Sequence, residues 1–231
     1  MNTQRISAIF EKDLKDFMKN MMLLMMPIIP IVLAVVYSRL GEGEELPLVV
    51  IYIVVGVIFS AVTTSIMMTM MAEENEKKTL RGLMLSPASF LDIIIGKSLV
   101  TGLMTLITLV ISFSIIGFGP ILNIYTIIGL FLLFLFFLFL GIGIGLFSKS
   151  IASTSAYMMP VMFLFGFTPM IEFLGLPEGS FGLKLADNFP LMQVMKVSDT
   201  GSWLPLGVVT IWVIGAALFT LICFKKTKTD D

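Results

Sequence analysis

Histidine is absent from the sequence and cysteine occurs once, at Cys223. Imidazole acid/base chemistry, His-ligated metal centres and an intramolecular disulfide are therefore excluded by inventory. Charge is scarce as well: 13% of the 231 residues are charged, where a soluble domain carries about 25%. The 15 basic side chains are matched by 16 acidic ones, so no basic surface is left to neutralise phosphates, which excludes a nucleic-acid binder. What fills the space is apolar. Hydrophobic residues make up 57% of the chain, with 20 Phe and 18 Met, and the mean hydropathy is +1.01. Such a composition excludes both disorder and a soluble globular domain. An integral membrane protein remains.

A helix needs about 20 apolar residues to cross the hydrocarbon core, so the intervals between charges serve as rulers. Lys19 to Arg39, Glu45 to Glu73, Lys149 to Glu172 and Asp199 to Lys225 each enclose one span. Ser98 to Ser148 holds 51 uncharged residues, interrupted by Gly117, Gly119, Pro120 and Asn123, and reads as two helices joined by a turn. The expectation is one all-α transmembrane domain over 1–231, with six spans at about 21–37, 47–72, 91–116, 124–147, 151–171 and 204–224. The outer loop 172–203, bounded by the Gly/Pro-rich stretch from Phe165 to Pro169 and broken again by Pro177, Gly179, Gly182 and Pro190, is expected to be partly re-entrant.

Orientation follows the basic residues of short loops. With both termini on one side, that side holds Arg5, Lys12, Lys15, Lys19, Lys77, Lys78, Arg81, Lys97, Lys149, Lys225, Lys226 and Lys228, against Arg39, Lys184 and Lys196 on the other. Both termini are expected in the cytoplasm of a plasma membrane. The first apolar run follows a polar segment of about twenty residues with no small-residue cleavage pattern after it, so it reads as an anchor and not as a cleaved signal.

Two stretches on the cytoplasmic side are amphipathic. In residues 1–20, Ile6, Phe10, Leu14, Phe17, Met18 and Met21 recur at helical spacing while Arg5, Lys12, Lys15, Asp16 and Lys19 fall mostly elsewhere, which predicts a helix lying in the membrane interface. In residues 73–87 acidic residues lead, basic residues follow, Leu80, Leu83 and Met84 form an apolar patch, and Pro87 ends the run. This is the composition of a short helix that a soluble partner can grip.

These residues resemble a known family. Glu73 to Pro87, the Gly96-Lys97 pair that opens the third span, Lys12-Asp13-Leu14 ahead of the first, and the broken segments at Phe165 to Pro169 and Asn188-Phe189-Pro190 are similar, in order and spacing, to the permease subunits of ABC-2 type ABC transporters, bacterial exporters with six spans. Lys78 stands where the family often has Gly before Thr79, and Arg81 where an acidic residue is common. The resemblance implies that 73–87 is a coupling helix in which Glu73, Glu76, Lys77, Lys78, Thr79, Leu80, Arg81, Leu83 and Met84 contact a separate ATPase subunit, present in two copies. It implies a second permease, identical or related, and no cofactor in this chain, ATP and Mg being bound by the ATPase. The sequence agrees on the last point: Gly96-Lys97-Ser98 imitates the end of a P-loop, but Leu91 occupies the position of the required upstream glycine.

A route for cargo has candidate residues. Lys97, Thr101, Thr105, Thr108 and Ser112 share one helical stripe, which either lines a pathway together with Thr64 or bonds within the helix bundle. Ser60, Thr63, Thr64 and Thr69 are positioned to face it, and Met67, Met68, Met70 and Met71 are either an adaptable lining or plain filling. Lys97 is expected to snorkel to the headgroups from the mouth of the third span, with Asp92 alone at that entrance. Glu172, near the outer end of the fifth span, reaches the interface or guards an exit. Gly141, Gly143 and Gly145 form a small-residue face for close helix packing. The expected function is an ATP-driven exporter of hydrophobic or amphipathic cargo (peptide, drug or lipid) without a catalytic residue or metal of its own. The alternative is a membrane immunity or scaffold protein that binds a peptide.

Overall fold

A computed structural model describes residues 3–41, 44–77, 90–119, 122–177 and 179–229. Among these the chain is all-helical, without strands. An N-terminal helix, Thr3–Lys19, precedes span 1, Met21–Leu40. Span 2 runs Leu48–Glu76, span 3 Phe90–Ile116, span 4 Ile124–Phe147 and span 6 Leu204–Thr229. Span 5 is a bent pair, Ile151–Gly166 and the 3₁₀ helix Thr168–Leu174, meeting at 61°. The chain is thus a multi-pass membrane protein with five straight candidate spans and a sixth that is bent.

Local chemistry sets the irregularities. Pro27 lacks an amide proton and divides span 1 into Met21–Met25 and Ile28–Leu40, and Asn20 starts the first piece by accepting from the amides of Met22 and Leu23. Span 5 begins where Ser150 and Ser153 form a reciprocal capping box. The expected loop 172–203 contains two further helices, Phe181–Asp187 and Pro190–Thr200. The second, here called the loop helix, buries Leu191, Met192, Val194, Met195 and Val197. Its placement inside the bundle satisfies the rule that irregular backbone at membrane depth is sheltered by protein.

Span 2 is the axis of the fold. Its most apolar window is 89% buried, against 28% for spans 1 and 6 and 33% for span 3, so the other spans form a shell whose outer faces meet lipid. Met67, Met68 and Met71 are at most 1% exposed; within the chain they are core filling. Past Ala72, the expected end of the span, the helix continues unbroken through Glu73 to Glu76, with Lys77 as its cap.

Glycines let the shell approach this axis. A Cβ on Gly141 would lie 2.8 Å from the Thr64 carbonyl oxygen, and one on Gly145 would lie 2.6 Å from that of Met68, both on span 2. Gly143 faces span 6 instead, 2.5 Å from the Phe219 ring by the same construction. Spans 2 and 5 approach closely beside stretches where each widens into π-helix, Ile58–Thr64 and Met162–Gly166: a Cβ on Gly56, just before the first, would sit 2.0 Å from the Gly166 carbonyl oxygen. Gly145→Ala should therefore cost about 1 to 3 kcal/mol through overpacking. Gly207→Ala, whose added carbon meets nothing within 4 Å, should be nearly neutral; thermal unfolding of both in detergent checks the contrast.

Candidate functional site

Three charged residues far apart in sequence meet near the end of span 2, at Glu74. Asp13, Glu74 and Lys97 are 3%, 5% and 2% exposed. The Lys97 ammonium donates to Asp13 Oδ2 and to Glu74 Oε1, each at 3.1 Å. Lys12 donates to the same Glu74 oxygen at 3.1 Å and lies 3.7 Å from Asp13 Oδ1. Two cations thus face two carboxylates, and the cluster is neutral.

Helix geometry brings these groups together. Asp13 follows Ile6 by seven residues and precedes Phe17 by four, so it shares their buried face of the N-terminal helix. Glu74 stands one turn beyond Met70 on span 2, and Lys97 one turn beyond Ile93 on span 3. Gly96 makes the meeting possible: a Cβ there would lie 2.6 Å from Ile9 Cγ2, so any larger residue would hold the N-terminal helix away from span 3. Burial pushes the Asp13 carboxyl above the usual aspartate range, and the attraction of Lys97 and Lys12 pulls it back only in part. Burial alone would lower the Lys12 ammonium, but the charge and hydrogen bond of Glu74 outweigh it and hold Lys12 above the ordinary lysine value.

Two expectations are corrected here. Lys97 does not snorkel to the headgroups; two buried carboxylates compete with water for its ammonium and hold it inside. Asp92 is 1% exposed and does not stand alone at an entrance. Asp13 and Glu74 both lay within the motifs quoted above, yet no role was assigned to either. The legible signal was an acid on the apolar stripe of an amphipathic helix, since a buried carboxylate requires a cation.

The end of span 2 is fastened on other sides too. Asn75 donates to the carbonyl oxygens of Leu146 and Ser148, at 3.3 and 2.7 Å, at the end of span 4. Glu76 accepts from the Ile151 amide at 2.7 Å, at the start of span 5. Glu73 and Lys77 form an exposed i,i+4 ion pair, which holds Lys77 above its ordinary value. Glu76→Ala should remove a helix-start acceptor, at a cost of about 0.5 to 2 kcal/mol, read as a lower unfolding midpoint in detergent. The remaining coupling-helix candidates, Lys78, Thr79, Leu80, Arg81, Leu83 and Met84, lie outside the described residues.

The hydroxyl stripe of span 3 faces span 2. Thr101, Thr105, Thr108 and Ser112 are at most 2% exposed. Thr105 shares a 2.9 Å hydrogen bond with Thr63 and donates to the Thr101 carbonyl oxygen at 2.8 Å, while Thr108 donates to that of Met104 at 2.7 Å. Thr64 turns to span 4, donating to the Phe137 carbonyl oxygen at 3.0 Å. Within one chain Thr101, Thr105 and Thr108 are thus satisfied inside the bundle, Thr101 by donating to the Met67 sulfur at 3.7 Å, whereas the buried Ser112 hydroxyl has no hydrogen-bond partner among the described residues. Glu172 lies elsewhere, exposed on the bent end of span 5.

The other quoted segments also converge, toward the opposite end of span 2. Phe165 packs against Phe136, Phe189 and Trp212, with ring centres 5.2 to 5.7 Å apart, and the Trp212 indole donates to the Asn188 carbonyl oxygen at 2.8 Å. The aromatic group pins the bend of span 5 to spans 4 and 6 and to the start of the loop helix. The model of a family described as ABC-2 family transporter protein matches residues 4–224, from the N-terminal helix to the end of span 6. The chain belongs to the ABC-2 transporter family. No curated protein matches it. As an ABC-2 permease the chain is the transmembrane component of a transporter, and this membership implies an ABC ATPase as its partner. In the permease, the motif segments of the N-terminal helix and of spans 2 and 3 gather at the buried charge cluster, and those around Phe165 and Phe189 gather at the aromatic group.

Proposed function

We propose that the permease exports hydrophobic or amphipathic cargo (peptide, drug or lipid) and is energised by a separate ATPase that docks on residues 73–87. The observation that supports this reading is the charge cluster of Asp13, Glu74 and Lys97. Span 2 and its cap are described to Lys77, three residues after Glu74, and span 3 from Phe90, seven residues before Lys97, so residues 78–89 join the two in sequence. A push on that segment acts on both sides of one buried ionic knot, to which the N-terminal helix is tied as well. Three helices would then move as a unit, because separating them would strand charge in a medium of low dielectric constant. On this reading Glu73 and Lys77 set partner choice at the rim, and Glu76 transmits displacement to span 5. ATP and Mg belong to the partner.

Both termini and the charge cluster face the cytoplasm on this reading, following the basic-residue asymmetry, and two permeases form the working unit with two ATPases. A pathway between them would open along spans 2 and 5 or by parting the seam of Thr64, Thr101, Thr105, Thr108 and Ser112, with Glu172 near its outer end. Affinity purification of the permease from its own membrane in mild detergent should bring an ABC ATPase along; recovery of the permease without any ATPase would count against the reading. Single cysteines at Glu44 and Glu178 should react with an impermeant thiol reagent applied to intact cells, and one at Lys78 should not. Labelling of Lys78 from outside would reverse the orientation.

A further inference from the structure

Beside the charge cluster a pocket of about 720 Å³ opens between the N-terminal helix, the start of span 1 and the end of span 2. That volume falls within the range of small-molecule sites, about 300 to 1,000 Å³. Its inner wall is the neutral cluster of Lys12, Asp13, Glu74 and Lys97, whose groups already satisfy one another. Its rim carries Asp16, Lys19, Glu73 and Lys77, again two acids and two bases. Met21 and Met22, the first residues of span 1, line the pocket and are 73% and 42% exposed. The opening therefore sits at the boundary where headgroups give way to acyl chains.

We propose that this pocket holds the headgroup of a bilayer phospholipid that carries a primary ammonium, a phosphoethanolamine group. The balanced rim selects the charge type. A purely anionic headgroup would be drawn to Lys19 and Lys77 but would also meet Asp16 and Glu73, whereas a zwitterion gives each sign a partner. The chemistry of the ammonium selects further: a primary ammonium has three N–H donors for charge-assisted hydrogen bonds to Asp16 and Glu73, and a quaternary choline has none. The pocket volume gives the ligand room, and the Glu73 to Lys77 pair can yield to it because Lys77 is exposed and surface pairs contribute only about 0 to 1 kcal/mol. The lipid phosphate joins Lys77 and the ammonium joins Glu73, which converts a single pair into a ring of alternating charge. Exposed Met21 and Met22 then receive the start of the acyl chains, which ties the ligand to the membrane. This inference rests on where spans 1 and 2 meet the bilayer surface; it shares Glu73 and Lys77 with the proposed docking segment, placing the lipid on their side toward the N-terminal helix and the start of span 1, and its test in the isolated permease is read without any ATPase.

The test uses the full-length permease in detergent, exchanged into an equal mixture of phosphatidylethanolamine, phosphatidylcholine and phosphatidylglycerol with identical acyl chains, with bound lipid read by native mass spectrometry. Phosphatidylethanolamine should be retained about tenfold over phosphatidylcholine, the equivalent of one charge-assisted hydrogen bond, and retention should fall stepwise through the mono- and dimethylated headgroups. Asp16→Asn with Glu73→Gln should abolish this preference while phospholipid is still bound, and Lys19→Gln should weaken phosphatidylethanolamine and phosphatidylglycerol alike. Asp16 and Lys19 are exposed and Glu73 is half-buried, so unchanged unfolding midpoints will confirm folding of each variant. Equal retention of phosphatidylethanolamine and phosphatidylcholine, displacement by phosphatidylglycerol, or a preference that survives the Asp16 and Glu73 changes would overturn the proposal. Soluble glycerophosphoethanolamine should compete poorly; competition at the level of the intact lipid would make this a site for a soluble ester and equally refute the lipid assignment.

Discussion

Lys97→Met should destabilise the helical bundle by about 3 to 5 kcal/mol, the cost of breaking a buried ion pair from one side. The side chain itself is not the loss, since methionine fills similar space. The loss arises in what stays behind: Asp13 and Glu74, 3% and 5% exposed, would face each other without the ammonium that lies 3.1 Å from both. Lys12 remains, but its side chain is 54% exposed and reaches Asp13 only at 3.7 Å, so it offsets part of the charge and not the missing hydrogen bonds. Asp13 is already pushed above its usual range by burial, and losing Lys97 removes its main counterweight. Urea or thermal unfolding in detergent should show a large fall in stability, and limited proteolysis should release the N-terminal helix first. Combining Lys97→Met with Asp13→Asn and Glu74→Gln should recover most of the loss, because no buried charge then lacks a partner and the one charge that remains, Lys12, is 54% exposed and can turn to water. If Lys97→Met alone stays within about 0.5 kcal/mol, as surface changes do, the cluster is not the tie between the three helices.

The six apolar intervals, the amphipathic N-terminal helix and the sheltering of the outer loop were legible because each depends on local composition, which the bilayer makes decisive. Span 3 ends just before Gly117 and begins at Phe90, within the charged stretch that precedes the uncharged interval from Ser98. The helix of span 2 runs on into the expected coupling segment through Glu76 because nothing at Glu73 breaks or caps its backbone. Lys97 was misread. A lone lysine at a helix mouth has water as its default partner, and nothing in its own neighbourhood announces two carboxylates that lie 84 and 23 residues away. Gly96 held a clue: a glycine inside a helix weakens it unless a close approach requires the missing side chain, and Ile9 makes that approach. The aromatic group around Phe165 was legible only as a list of helix breakers, because its partners Phe136 and Trp212 come from spans 4 and 6 and carry no mark in sequence that sets them apart from other membrane aromatics.

Leu83→Asp should release the ATPase, or leave its hydrolysis unresponsive to cargo, while the spans still insert. The patch of Leu80, Leu83 and Met84 has no use in a loop that only joins two spans, and burying it in a groove of a partner would contribute about 1.5 to 3 kcal/mol for each large apolar side chain. An aspartate at its centre forfeits that term and adds a carboxylate to be desolvated, so complex formation should fall by at least about tenfold, the factor that corresponds to 1.4 kcal/mol. Lys77→Gln should do far less, because Lys77 is an exposed partner of Glu73 and such pairs contribute only about 0 to 1 kcal/mol. The contrast with Lys97→Met separates docking from transmission. Leu83→Asp should leave unfolding of the isolated permease unchanged and abolish capture of the ATPase. The compensated triple change at Asp13, Glu74 and Lys97 should keep capture but weaken the response of hydrolysis to cargo, since without its buried ion pairs the cluster no longer penalises separation of the helices. Should Leu83→Asp retain both complex formation and cargo-dependent hydrolysis at the unaltered level, residues 73–87 are not the docking element, and a membrane protein that binds a peptide without moving it becomes the better account of this chain.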